Sequence, residues 1–470
     1  MRSFPPSRPE EDPAGDLARM VAGLSYEALP LDVVDLAKKA ILDTLAVTIA
    51  GSNWEVSPQI VAQIVEWGGT PEGSILIYGH KVPAPLAAFA NGAMARAVDM
   101  GDVHESGGHV TEWNVPTMLA ALRLAPGVVT GKDFITAYMA GAEVGVRTFS
   151  AANLIPNSNV GIPGEFQGIF CATASICRLL GLGDENTWNA LGIGYSVHGL
   201  SEMQKHTEGV QMVRVQHSFT GDTAIKAALL ARSGVTGPKG IYLGIPGGLL
   251  RHLEWDDIRP ELLTDGLGRR WMYSEGLTLK PYSACKFTHS FIASTIELIR
   301  RHHLDWREIA AIDCVGSPGV TMVTDPVESK WRPNAAPEAL FSAPYAIATA
   351  AITGDVFLDD FSEIELRRKD KQDLMRRISV KCDPAIENQF EGFPVTISMN
   401  DGRRFDHTEP FVKGHRNNPM TWDDLRAKFW KCTPYSAVSL PEAKLNRVIE
   451  LCVHLEEVDD VNELIDNLTL

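Results

Sequence analysis

From residue 33 to residue 232 the chain repeats one pattern, helical periodicity on faces built largely from alanine and glycine. Side chains of ordinary size hold packed helices roughly 8–10 Å apart, so faces this small call for backbones in close contact. Val33, Val34, Ala37, Ile41, Leu45 and Ile49 recur at helical spacing and stop at Gly51. The same period predicts helices over 84–98, 115–124, 131–147, 168–180, 187–198 and 220–232. A large buried helical bundle follows. The texture changes near Glu275: 310–315, 378–381 and 395–399 alternate as strands, and Asn400-Asp401-Gly402-Arg403 reads as a hairpin turn. Helical patterns at 289–302, 337–352 and 361–375 lie between them, which describes a small α+β domain with an antiparallel sheet. Helical patterns return at 422–430 and 441–455. The expected architecture is mainly α, a large all-helical domain plus a smaller α+β domain. Residues 1–15 form a disordered arm, 16–275 and 410–470 a discontinuous helical domain, and 276–409 the smaller unit. At 470 residues the chain has room for two cores, since one core stops growing at roughly 250–300 residues.

Charge narrows the function classes. Aspartate and glutamate number 59 against 43 lysines and arginines, a net charge of -16. That field repels nucleic acid, and no basic run overrides it. A small anionic substrate remains compatible, because a few cations in a pocket outweigh distant surface charge. The seven cysteines form no C-x-x-C pair and read as reduced, in a cytoplasmic setting. The amino-terminal segment has no apolar core of a secretory signal. The apolar run 31–50 is interrupted by Asp35, Lys38, Lys39 and Asp43, which argues against a membrane span.

Familiar cofactor motifs fail. No G-x-G-x-x-G follows a strand, and there is no Walker A loop, G-x-S-x-G elbow or H-E-x-x-H helix. The glycine-rich stretch 244–248 reads as a packed turn. One segment stands out, Asp99-Met100-Gly101-Asp102-Val103-His104-Glu105-Ser106-Gly107-Gly108-His109, with five ionisable groups in eleven residues directly after an apolar helix. A carboxylate beside a histidine makes an oriented acid/base pair. The same residue types also hold metals, and a solvated charged loop has this texture too.

Further pieces stand in a fixed order around that segment. They are Ile41-Leu42-Asp43-Thr44-Leu45, Asn91-Gly92-Ala93 before Asp99, Pro116 after His109, and Gly141-Ala142-Glu143 with Arg147. Next come Ala227–Ala231 with Gly234-Val235-Thr236-Gly237, then Lys280-Pro281-Tyr282-Ser283-Ala284-Cys285 with His289, and Phe341-Ser342-Ala343-Pro344-Tyr345. Together they resemble the MmgE/PrpD family over nearly the whole chain. The resemblance implies a helical domain completed by the carboxy-terminal tail, a lid domain inserted in it, a homodimer, and no metal or organic cofactor. It carries catalytic roles onto Asp99, His109, Lys280 and Tyr345.

Three departures from the family pattern matter chemically. Ile162 stands where dehydratases and decarboxylases of the family have a histidine, Val213 where they have the lysine of a K-x-x-H stretch, and Val103 where they have a threonine. Arg214, Lys205 and His206 are the neighbouring candidates to bind substrate in their place, with His104 at the rim. In this reading His109, oriented by Asp99, moves a proton at a carbon next to a carboxylate. Lys280 and Arg214 hold the developing charge, and Tyr345 donates a second proton or orients the leaving group. The expected function is a cofactor-independent lyase, a dehydratase or decarboxylase, on a small di- or tricarboxylate, with a 2-methylcitrate-like acid the first choice. An epimerase or isomerase of a dicarboxylate and a non-catalytic carboxylate-binding protein stand as alternatives.

Overall fold

The computed structural model describes residue 8 and residues 11–106, 108–153, 164–198, 204–245, 247–253, 257–387 and 389–470. Most of the expected amino-terminal arm, Ile162 and Met203 lie outside the described residues. The arm is shorter than expected at its inner end. Asp12 is buried and accepts the N–H groups of Ala14 (3.1 Å) and Leu243 (2.7 Å), just ahead of α1 (Ala14–Gly23).

The helical core is built from α2 (Leu31–Gly51), α3 (Ser57–Trp67), α4 (Ala84–Arg96), α5 (Thr111–Ala121), α6 (Gly131–Ala152), α7 (Gly168–Leu179), α8 (Asp184–Val197), the short α9 (Gln204–Glu208) and α10 (Met212–Arg232). The small faces do what their composition demands. A Cβ on Gly51 of α2 would lie 1.9 Å from the Met94 carbonyl oxygen of α4. One on Gly141 of α6 would lie 1.9 Å from Ser175 Oγ and 2.3 Å from the Cys171 carbonyl oxygen of α7. Helix α10 begins eight residues before its expected start at 220, and this extension carries site residues.

A buried pair locks the connection after the bundle. Arg147 Nε donates to Glu143 (2.7 Å), and its remaining nitrogens reach the carbonyls of Leu262, Asp265 and Arg270. Glu143 also accepts the N–H groups of Met272 and Tyr273, at 3.0 Å each. Short ladders escape the periodicity analysis: β1 (Gly73–Ser74) pairs with β2 (Lys81–Val82), and β3 (Asp102–His104) with β4 (Leu277–Leu279), both antiparallel. The β3–β4 ladder matters most, because it brings residue 280 beside the 99–109 segment.

The second core gathers residues 284–399 around a four-stranded sheet ordered β6-β5-β7-β8, comprising β5 (Ile309–Gly316), β6 (Ile378–Cys382), β7 (Pro394–Met399) and β8 (Arg404–Thr408). The sheet is mixed, which corrects the antiparallel expectation, since β5 runs parallel to β6. The connection between them is long and carries helices, as a parallel crossover requires. The hairpin at 400–403 joins β7 and β8. Two expected helices are broken. The 337–352 pattern divides into Ala336–Leu340 and Ala343–Thr353, where Ser342 Oγ accepts the Tyr345 N–H and Pro344 opens the new helix. The 361–375 pattern divides into Glu363–Leu366, opened by a Ser362 cap, and Lys369–Met375.

Helices Trp422–Cys432 and Glu442–Val453 return to the first core, the former against α2. Lys428 leads this return. Its ammonium lies 2.6 Å from buried Asp43 and donates to the carbonyls of Met100 and Lys280, each at 2.8 Å. All seven cysteines are unpaired. Among the described residues, no helix is long and apolar enough to cross a membrane.

Glycine packing between α6 and α7 is directly testable. Gly141→Ala should lower the unfolding free energy by about 1–3 kcal/mol through overpacking, read as a drop in denaturant midpoint. Gly127→Ala, with nothing within 4 Å of the added methyl, should stay within about 0.5 kcal/mol of the parent. Equal effects would refute the close-packing account.

Candidate active site

Helix α4 ends at Arg96, and three residues later Asp99 adopts a left-handed backbone, φ +49°. That turn reverses the carboxylate onto the helix it has just left, where it pairs with the Arg96 guanidinium. Lys280 reaches the same carboxylate at 3.1 Å. Burial alone would raise the Asp99 carboxyl, but the positive charges of Arg96, Lys280 and Arg214 overcome it and hold the group well below the usual carboxylate range. Lys280 is saturated: its three hydrogens meet the Asp99 carbonyl (2.5 Å), Asp99 Oδ1 (3.1 Å) and the Ala284 carbonyl (3.3 Å). It therefore sets the local field and fixes the turn, with no donor spare for a substrate. This corrects its expected direct role.

His109 is oriented by a different group from the one expected. Asp99 is committed to Arg96 and Lys280, whereas His109 Nδ1 lies 2.7 Å from the Asp102 carbonyl oxygen. A carbonyl only accepts, so Nδ1 carries the proton and Nε2 presents its lone pair. The Asp102 side chain accepts the Val110 and Thr111 N–H groups (2.9 and 3.0 Å) at the amino-terminal end of α5. Burial, then the charge of Glu112, pushes its carboxyl up to about 7. Burial also pushes the His109 imidazole down to about 4, with Arg96, Lys280 and His217 acting in the same direction against Glu112. The result is a neutral ring. Its side chain is 14% exposed, while Arg96, Asp99, Glu112, Arg214, His217 and Lys280 are each at 2% or less. The most open group is the one with a free lone pair.

Three site residues were missed from the sequence: Arg96, Glu112 and His217. Glu112 Oε2 lies 3.3 Å from His217 Nδ1, 3.6 Å from His109 Nδ1 and 3.8 Å from Arg96 Nε. Neither Glu112 oxygen has a hydrogen-bond partner. The rings of His109 and His217 are 5.6 Å apart, and His217 meets Trp113 edge-on at 4.8 Å. Each missed residue lies three positions from one already singled out: Arg96 before Asp99, Glu112 after His109, His217 after Arg214. On a helix that spacing shares a face, and it is the signal that could have found them.

Arg214 lies on α10, one position beyond Val213, which is buried in the second core. Arg214 is 1% exposed, and among the described residues none of its three guanidinium nitrogens has a hydrogen-bond partner. Its nearest carboxylate oxygen is Glu55 Oε2, 3.9 Å from Nε, and its guanidinium sits 5.8 Å from the Phe341 ring centroid. His206 meets the same ring edge-on at 5.4 Å, and Lys205, its neighbour on α9, is also buried.

Two expected residues are placed elsewhere. His104 Nδ1 accepts the Ser106 N–H (3.1 Å) and Nε2 donates to the Met272 carbonyl (2.9 Å), so both nitrogens serve the loop. Tyr345 Oη donates to the Asp360 carbonyl and accepts from Lys371 Nζ (3.1 Å), inside the second core. The reason is the broken helix, whose Ser342 cap turns this side chain toward 358–371. Burial raises its phenol far above the ordinary value, which makes it a poor proton donor. Among the described residues, no group of His, Cys, Asp and Glu side chains is arranged to hold a metal ion.

Around Asp99 the arrangement gathers a neutral, accessible imidazole, a buried guanidinium that makes no hydrogen bond among the described residues, and a fixed positive turn. It can move a proton on a small anion. Comparisons with known proteins bear on which one. The MmgE/PrpD N-terminal domain model matches residues 15–261 and the MmgE/PrpD C-terminal domain model residues 282–455. The chain is 28% identical to a cis-aconitate decarboxylase-like protein, oryM, of Aspergillus oryzae, covering 98% of each chain. It is 24% identical to a cis-aconitate decarboxylase of Aspergillus terreus, over 96% of this chain and 95% of that one. The human cis-aconitate decarboxylase is 23% identical, over 95% of this chain and 92% of its own.

The state of His109 can be read by NMR of the ring carbon Cε1. Its signal, identified by its loss in His109→Asn, should show no titration between about pH 8 and pH 5, where a free histidine titrates near 6.5. The unfolded chain takes up this proton near 6.5 and the folded ring only near 4. The residue's contribution to stability is therefore complete above about 6.5 and is lost as pH falls toward 4. A midpoint near 6.5 in the folded protein would refute the neutral-base assignment.

Proposed function

The chain belongs to the MmgE/PrpD family, and from that premise we propose that it is a cofactor-independent lyase acting on a small di- or tricarboxylic acid. The observation that carries this reading is the pairing of His109, neutral with Nε2 free, with Arg214, buried and without a hydrogen-bond partner. A guanidinium presents a planar fork that matches a carboxylate bidentately. His109 and Arg214 both act on the Asp99 carboxyl, and in this reading a carboxylate seated on Arg214 turns its adjoining carbon toward the imidazole.

The proton chemistry follows from the charges. Removing a proton next to a carboxylate leaves an electron pair that delocalises into that carboxylate, and buried cations stabilise the resulting dianion. Arg214 binds it, while the Arg96–Asp99–Lys280 turn contributes a fixed positive field. In loss of water, His109 takes the carbon-bound proton and the hydroxyl leaves from the neighbouring carbon. In loss of carbon dioxide, the carbon–carbon bond breaks, the pair remains on carbon, and protonated His109 supplies the replacing proton. Substrate negative charge raises the affinity of the ring for that proton. The Aspergillus terreus and human relatives are cis-aconitate decarboxylases and the Aspergillus oryzae one is a cis-aconitate decarboxylase-like protein, which favours loss of carbon dioxide over loss of water for this chain. A homodimer belongs to the same reading, and exposed Met212, Phe219 and Leu230 along α10 offer an apolar face for it.

Turnover of a panel of di- and tricarboxylates in deuterated water, followed by NMR, tests the proposal. The expected result is loss of carbon dioxide or water from one acid, and His109→Ala should reduce kcat at least ~100-fold with unchanged circular dichroism. Deuterium exchange without loss of either would replace the lyase with an isomerase. Binding without turnover by the parent would leave a carboxylate-binding protein.

A further inference from the structure

Five buried lysines in this fold come with carboxylates. Lys38 has Glu456 at 2.8 Å, Lys280 has Asp99 at 3.1 Å, Lys371 has Glu365 at 3.0 Å and Lys428 has Asp43 at 2.6 Å; Lys286 pairs with Glu391. Lys330 breaks the rule. It is 1% exposed, and among the described residues its ammonium has neither an ion pair nor a hydrogen bond. A buried cation with no counter-charge is destabilising by several kcal/mol unless an anion arrives from outside.

Its surroundings show where that anion would sit. Lys330 ends the short helix Val327–Lys330, and its carbonyl is held by Ser342 Oγ at 2.5 Å, so its backbone is fixed. Its Nζ lies 5.9 Å from the Phe341 ring centroid, and the Arg214 guanidinium lies 5.8 Å from the same centroid. Cys285, buried at 7% exposure, feels the charges of Asp99, Lys280 and Lys330 together, which places Lys330 at the edge of the cluster around Asp99. Burial draws the Lys330 ammonium below its ordinary pKa, and only Cys285 and Glu338 oppose that. The two unsatisfied cations come from different cores, Arg214 from α10 and Lys330 from the region beside the mixed sheet, and they share one aromatic ring.

We propose that Lys330 is a specificity-determining residue that binds a second carboxylate of the substrate, one not attached to the reacting carbon, while Arg214 binds the first. The assignment rests on the carboxylate-lyase reading and deepens it. It supplies a cation in place of the lysine that Val213 displaces, from the second core in which Val213 is itself buried. An acid with a single carboxylate fills the Arg214 position and leaves Lys330 unpaired, so the site selects for dicarboxylates and larger.

Calorimetric titration of the full chain with succinate and with butanoate tests this. Wild type should bind succinate at least ~10-fold more tightly than butanoate, as one added charged hydrogen bond implies. Lys330→Gln and Lys330→Met should weaken succinate roughly 10- to 100-fold, leaving butanoate affinity unchanged and the unfolding midpoint of the ligand-free chain no lower than in wild type, since an uncompensated buried charge is removed, and Lys330→Arg should retain the preference. Lys330→Met preserves the buried apolar stem and guards against failure to fold. A clear wild-type preference that survives both neutral variants overturns the role of Lys330 alone. No wild-type preference for the dicarboxylate, or binding of neither acid, overturns the carboxylate reading beneath it.

Discussion

The site is organised around one buried carboxylate held between two cations. Asp99, in a left-handed turn, binds Arg96 from the helix before it and Lys280 from a ladder nearly two hundred residues later. Each partner alone would leave a charge stranded in a low-dielectric interior, and such a charge is expensive. Together they force the turn, and the turn sets the path of β3 and of the loop that ends at His109. Because β4 must pair with β3 for Lys280 to arrive, the ion triad and the ladder stabilise one another. The His109–Asp102 contact then follows from backbone geometry.

The interior divides its charges into two kinds. Asp43 with Lys428, Glu143 with Arg147, and Lys286 with Glu391 are closed pairs that tie segments together. Arg214 and Glu112 are open, since among the described residues neither makes a hydrogen bond through its charged atoms and the nearest group able to carry the opposite charge stands 3.3 Å or more away. Closed pairs specify the fold, while open groups keep interaction capacity for something outside the chain. The open groups cluster on α5 and α10 beside the most exposed histidine of the site. That concentration separates a working site from structural electrostatics within one sea of buried charge.

Much of this was legible in the residues, for identifiable reasons. Alanine and glycine faces announce close-packed helices because nothing else satisfies their shape, and Gly51 and Gly141 show contact distances to match. Asp99, His109 and Arg214 stood out by residue type and order. The orienting partner of His109 did not, because sequence spacing carries no record of the sign of φ at Asp99. Arg96, Glu112 and His217 were hidden by attention to loop residues, though their three-residue offsets were present. Tyr345 and His104 went astray for a tertiary reason: their polar atoms are occupied by Lys371, Asp360, Met272 and Ser106. The parallel pairing of β5 with β6 was equally invisible, since a burial pattern is the same for either direction.

The contacts of Lys428 bear on the order in which the molecule is made. Its ammonium closes the Met100 carbonyl across 328 positions of sequence and the Lys280 carbonyl across 148. The contacts among α4, α5, α6, α7, α8 and α10 all lie within residues 84–232, so this part of the bundle is available once the amino-terminal half has been made. The backbone under the site waits for a residue translated much later. A nascent chain of that length therefore lacks the contacts through which Lys428 holds the backbone at Met100 and Lys280.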